Sequence, residues 1–151
     1  MMLTIRWATI ATALAFTTPG FAADISIDDC DKRNVALNQV QAMRPFANGS
    51  VKLFSIDQEE PAAVPAGIAV TIDRGDNLAD AESFCRYVFG LSDVDLAKAN
   101  AKFDQATAIL SIDIAVRSHD PNTDNFVPGV LKLKINKSAK TPEALVSAAL
   151  R

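Results

Sequence analysis

The only histidine of the chain, His119, stands in the polar run Ser118-His119-Asp120. A serine, histidine and aspartate can together make a nucleophile, but such relays are defined by geometry rather than by adjacency in sequence. The chain contains no G-x-S-x-G, the strained turn that presents a nucleophilic serine. His119 therefore reads as a loop residue facing solvent. Just beyond it, Asp120, Asn122 and Asp124 follow a D-x-N-x-D spacing that can set alternate oxygen ligands around calcium. A complete calcium loop wants Gly at the sixth position and Glu at the twelfth, where this chain has Asn125 and Leu131. Pro121 also stiffens the start. Asp, Asn and Pro build ordinary turns for reasons of their own. The expectation is a loop without a metal, in which Asp120, Asn122 and Asp124 remain the calcium candidates. The same loop, through His119, Asp120, Asn122, Asp124 and Asn125, is the candidate recognition segment.

A second set of titratable groups is Asp57, Glu59 and Glu60, beside Pro61. Glycoside hydrolysis would need two such acids facing each other across a cleft, whereas a charged loop next to a sheet is the ordinary use of these residues. Asp28, Asp29 and Asp31 read as an acidic helix start, which suits the positive end of a helix dipole, rather than as a metal site. Arg74-Gly75-Asp76 spells a tripeptide used by some adhesion ligands, but a strand-to-helix turn calls for Gly and Asp anyway. No catalytic residue and no cofactor are assigned.

The two cysteines, Cys30 and Cys85, allow one pairing within the chain. Their compartment is read from the N-terminus. Met1 to Arg6 carry a positive charge and no acid, Trp7 to Phe16 are apolar, and Pro19-Gly20-Phe21-Ala22 offers a breaker and small residues. That order is expected of a secretory leader cleaved near Ala22. Its apolar stretch of about ten residues is half of what a spanning helix needs, so no membrane span is expected in residues 23–151. In an oxidising compartment the default for Cys30 and Cys85 is a structural disulfide. The expected location is periplasmic or extracellular.

Loss of Arg6 with the leader would move the formal charge from -3 to about -4. Such mild acidity argues against nucleic acid, which demands a basic face, and against docking on anionic lipid. Residues 23–151 suit one domain of common size.

Periodicity gives the elements that would position these groups. Val35, Ala36, Val40 and Met43 recur at helical spacing over Asp31 to Met43, closed by Pro45. Leu78, Ala81, Phe84, Cys85 and Val88 mark a second helical stripe, with Gly90 as its stop. Strands are expected at Val51 to Asp57, Ile68 to Asp73, Leu96 to Asp104, Ala108 to Arg117 and Val130 to Asn136, where apolar and polar residues alternate. Ser118 to Pro128 is expected as a long polar loop, and Thr141-Pro142-Glu143 as the start of a short terminal helix. The predicted class is α+β: an antiparallel sheet of about five strands, ending in a three-strand meander, with two helices on one face and one disulfide.

The functional expectation is an exported small protein that binds a protein or small ligand without catalysing a reaction. Its rivals are a small hydrolase using the carboxylates or His119, and a structural component of the envelope. A loop held by a rigid sheet is where recognition usually sits.

Overall fold

The computed structural model describes residues 25–35, 37–58, 65–75 and 82–151, and the expected leader lies outside them. Among the described residues nine strands succeed one another: β1 (Ser26–Asp29), β2 (Val40–Phe46), β3 (Val51–Asp57), β4 (Ala66–Arg74), β5 (Glu82–Leu91), β6 (Asp93–Asp104), β7 (Ile109–Asp120), β8 (Asn125–Asn136) and β9 (Val146–Leu150). They form two antiparallel sheets, ordered β1-β5-β4-β3-β2 and β6-β7-β8-β9. Apart from β1 and β5, every neighbouring pair is consecutive in the chain.

Alternation builds the second sheet. In β7, Leu110, Ile112, Ile114 and Val116 are buried, and in β8 so are Leu131, Leu133 and Ile135. The residues between them face away, where Lys132 and Asp113 form a cross-strand ion pair at 3.5 Å. The inner face of the first sheet supplies Val51, Leu53, Ile68, Val70, Ile72 and Val88, and both faces join in one apolar core. Strand β6 lies across β2, β3 and β4, while β7 lies against β5. The pairing of β6 with β7 slips between Asp95 and Asn100. Within that slip Arg44 of β2 donates to the carbonyls of Leu96 and Ala97, both at 2.8 Å. A side chain thus satisfies acceptors that the ladder leaves behind.

The α+β expectation is overturned. Among the described residues the only helical pieces are three-residue 3-10 turns, and the molecule is nearly all β. The stripe through Phe84, Cys85 and Val88 belongs to β5, a strand buried on both faces. Phe84, Arg86 and Val88 point to the main core, while Cys85, Tyr87 and Phe89 point the other way. With no wet face there is no polar alternation to read, and a helical spacing emerges by coincidence. Aromatic and β-branched residues favour the strand. Gly90 is no helix stop. Ala66 pairs with Leu91 and Gly67 with Phe89, so Gly90, at φ 96°, is the extra residue of a bulge. Leu78 and Ala81 lie outside the described residues.

The other expected helix, over Asp31 to Met43, is two 3-10 turns, Asp31–Arg33 and Leu37–Gln39, leading into β2. Asn34 in the left-handed region (φ 49°) ends the first. Pro45 sits in β2, an edge strand, where a missing N–H is tolerated. Thr141 precedes another such turn, Pro142–Ala144, and the chain then enters β9 rather than a helix, with Val146 against Ile135 and Ala148 against Leu133. The strands expected over 51–57, 68–73, 96–104, 108–117 and 130–136 are present, and the C-terminal meander gains β9.

Where helices were expected to cover the first sheet, the segment from Cys30 to Val40 does so. Cys30, Val35 and Val40 pack with Phe54, Ile56, Ala69, Tyr87 and Phe89 in a second, smaller apolar cluster. The Cys30–Cys85 disulfide pins this cover, with the two Cα atoms 5.5 Å apart.

Candidate functional site

Strands β7 and β8 pair without a break from Ile109–Asn136 to Asp120–Asn125. The stretch from Ser118 to Pro128, expected as a long loop, is therefore the far end of a hairpin, and only residues 121–124 leave the ladder. That end outruns its neighbours. Pairing to β6 begins where Asp93 meets Arg117. Beyond β9, Arg151 exchanges backbone hydrogen bonds with Val130 at 2.8 and 3.0 Å. Among the described residues, 118–129 thus form a two-stranded ribbon with no third strand of their own sheet beside them.

The turn holds itself together with the residues singled out from the sequence. Asp120 Oδ1 accepts from the backbone N–H of Asn122 at 2.9 Å and from its side-chain amide at 3.2 Å, and Oδ2 accepts from the Thr123 hydroxyl at 2.9 Å. The Asn122 N–H first, and the Thr123 hydroxyl next, hold the Asp120 carboxyl below its ordinary range. Asp124, at φ 53°, brings its Oδ1 within 2.7 Å of His119 Nε2. The His119 ring lies against Phe126, 5.8 Å between centroids, and Asn125 donates to the Thr123 carbonyl at 3.0 Å. All five loop candidates are brought together, as the framework of a turn. Among the described residues no three His, Cys, Asp or Glu side chains gather as a metal site.

What sequence reasoning missed here is an apolar row. The register sets Phe126, Pro128 and Val130 in line on the face turned away from the core, beside His119, Arg117 and Ala115. Phe126 is 49% and Val130 43% exposed, large values for apolar residues on an ordered strand. The Arg117 guanidinium donates to the Phe126 carbonyl at 3.3 Å. A signal was available, since the alternation of β8 can be traced back from Leu131 to Phe126. Pro128 has a further role. Val130 turns its N–H and C=O toward β9, so by the two-residue period Pro128 turns its backbone to the same side, where no strand lies among the described residues. A residue without an N–H blunts that free edge against strand addition.

The acidic trio is not a helix start. Asp28 and Asp29 lie in β1, and Asp31 opens the first 3-10 turn. Asp29 faces Arg86 across the ladder and pairs with its Nη1. Lys32 first, then Arg86, lowers the Asp29 carboxyl. Arg86 is only 6% exposed, and its Nε has no hydrogen-bond partner. A cavity of about 360 Å³ opens here, lined by Asp29, Cys30, Asp31, Ser83, Phe84, Cys85, Arg86 and Pro142.

The remaining candidates are dispersed. Asp57 ends β3, while Glu59 and Glu60 lie outside the described residues. Arg74 is turned inward: it donates to the Ala139 carbonyl and lies 5.0 Å from the Phe84 ring centroid, so it is not displayed as an adhesion tripeptide would be. Asp76 is outside the described residues. No helix among the described residues is long and apolar enough to cross a membrane.

No protein-family model, curated protein or solved structure matches this chain. The functional reading stands on the geometry of the hairpin.

Proposed function

We propose that this chain is an exported, disulfide-stapled β-sandwich that works as a binding module, and that it engages a protein partner through the far end of the β7–β8 hairpin. The observation that carries the reading is the row Phe126-Pro128-Val130, exposed on a ribbon whose register is unbroken. Apolar side chains in water cost free energy that a partner recovers by covering them. An ordered ribbon also loses little conformational freedom on binding, and that favours affinity. Arg117 and His119 at the rim supply polar contacts of the kind that set orientation. Export is supported by the charge, apolar stretch and small residues of 1–22, and by a disulfide of a type that persists outside the cytosol.

A photo-crosslinking residue placed at Val130, with the protein expressed in its own envelope, tests this. The expected result is a discrete adduct at Val130 and none from Lys102, which faces the same way on β6. The absence of any adduct at Val130, or an equal smear from both positions, would overturn the proposal. An adduct at twice the mass of the chain would favour the structural-component reading instead.

A further inference from the structure

We infer that Asn48 is a site of spontaneous covalent modification, at which the Gly49 nitrogen closes on the Asn48 side chain and the amide becomes an acid. The site lies in the turn between β2 and β3, at the end of β8 opposite the hairpin tip, and goes beyond the function proposed above. Asn48 is the only asparagine of the chain followed by glycine. A glycine carries no β-carbon to obstruct approach to its nitrogen. The two reacting groups also belong to one short segment, so their encounter is intramolecular.

Three residues in succession occupy the left-handed region here: Ala47 (φ 48°), Asn48 (φ 55°) and Gly49 (φ 86°). Asn and Gly accept that region readily, whereas Ala47 does so at a cost. Neighbours hold it there. The Ser50 N–H donates to the Ala47 carbonyl at 3.2 Å and the Ser50 hydroxyl to the same oxygen at 2.8 Å, while Lys137 Nζ donates to Ser50 Oγ at 3.0 Å. These bonds pin the flanks of the turn and leave the Asn48–Gly49 peptide at its apex. The Asn48 side chain is exposed, and among the described residues its amide makes no hydrogen bond. The hairpin tip differs. There the Asn122 and Asn125 amides donate to Asp120 and to the Thr123 carbonyl, and the residues that follow, Thr123 and Phe126, carry side chains that hinder attack.

With ψ at 32°, Asn48 must first swing out of the left-handed well to meet its neighbour. The strain at Ala47 favours that opening. The Gly49 nitrogen, having given up its proton, bonds to Asn48 Cγ. The Cγ–Nδ2 bond then breaks and the nitrogen leaves with a proton as ammonia, which closes a five-membered imide. Water opens the imide at either carbonyl. One product is an aspartate, the other an isoaspartate whose main chain runs through the β-carbon. Both put a new negative charge in a turn that the Lys137 ammonium already caps. The isoaspartate also lengthens the turn by a main-chain atom, against the closing pair Phe46 and Val51.

Ageing the full oxidised protein at body temperature in buffers of rising pH, followed by peptide mass mapping, tests the inference. The peptide holding Asn48 should exchange the mass of an amide for that of an acid before any other asparagine does, and isoaspartate should be found at that position. The rate should climb with pH, because the attacking nitrogen must lose its proton. Ser50→Ala, which removes the hydroxyl bridge between Lys137 and Ala47, should speed the reaction. Gly49→Ala, for which the added Cβ has open space, should slow it by about tenfold or more by obstructing the approach. If that variant fails to fold, the order of reaction in the unaltered chain decides. An intact Asn48 while another asparagine reacts would overturn the inference, as would a rate indifferent to pH or a folded Gly49→Ala protein that reacts as fast as the unaltered chain.

Discussion

Tyr87 is the only tyrosine in the chain, so its ionisation can be monitored without background from others. Its ring stands on the outer face of the first sheet, 1% exposed, stacked on Phe89 with 5.9 Å between centroids. Burial pushes its hydroxyl up to about 12 from 10.0, with Arg33 opposing the shift and Asp57 adding to it. The neutral form is thus favoured by folding. Stability from such a group is fully present below its unfolded pKa and drains away as the pH rises through the folded one. A separation of about two pKa units, each worth about 1.4 kcal/mol, puts the loss on the order of 3 kcal/mol across roughly pH 10 to 12. Tyrosinate absorbance should show a native midpoint near 12 and a midpoint near 10 in urea. The urea midpoint of unfolding should fall over the same interval. Tyr87→Phe should keep only the gentler alkaline slope due to Lys32 and Lys98, whose ammonium groups are raised by Asp29 and Asp95 respectively. A native tyrosine that ionises at its unfolded pKa, or a Tyr87→Phe protein with the full alkaline slope, would refute the reasoning.

The same packing makes other outcomes testable. The disulfide closes a loop spanning 55 positions, so the Cys30→Ser, Cys85→Ser double variant should lose about 4 kcal/mol in chemical denaturation, and a loss below about 1 kcal/mol would contradict the staple. A Cβ at Gly67 would overlap the Tyr87 ring, so Gly67→Ala should cost about 1–3 kcal/mol. Most of that cost should vanish in a Tyr87→Leu background, and additive losses in a double-mutant cycle would place the strain elsewhere. Asp29, Asp73 and Asp120 are all lowered, chiefly by Lys32, by the Ser83 hydroxyl and by the Asn122 N–H respectively. Each stabilises the fold above its unfolded pKa and loses that contribution as pH falls through the folded one. The urea midpoint should therefore drop on acidification below about pH 4, less steeply in Asp73→Asn, and an equal slope in that variant would remove Asp73 from the account.

Legibility from sequence tracked whether a strand has a wet face. Strands β7 and β8 were readable because Ser111, Asp113, Lys132 and Lys134 punctuate them, and β3 through Lys52 although Phe54 and Ile56 on the same face are covered. Strand β5 was not, because Cys85, Tyr87 and Phe89 are covered by the chain from Cys30 onward, and no periodicity announces a cover made of 3-10 turns. Strand β9 was hidden by Thr141-Pro142-Glu143, an accurate helix start that runs for only one turn before β8 captures Val146. The pairing of Cys30 with Cys85 was forced by count. At the hairpin, the turn chemistry of Asp120 to Asn125 was plain, but Phe126-Pro128-Val130 looked like the tail of a loop until register aligned it. Arg86 gave the faintest hint: one cation inside Phe84-Cys85-Arg86-Tyr87-Val88-Phe89. A charge held in such a run must find a counterion, and Asp29 lies far off in sequence.

Among the described residues, the single strand pairing that skips along the chain, β1 with β5, is also the one the sulfur bond crosses. Residues 30 to 85 consequently make a covalent ring that holds β2, β3 and β4, and β6 to β9 hang from it as a zipper without a lock. A tug on Arg151 would undo β9, then β8, then β7, hairpin by hairpin, at modest force. The load would then reach Cys85 and pass straight to Cys30, leaving the ring unopened.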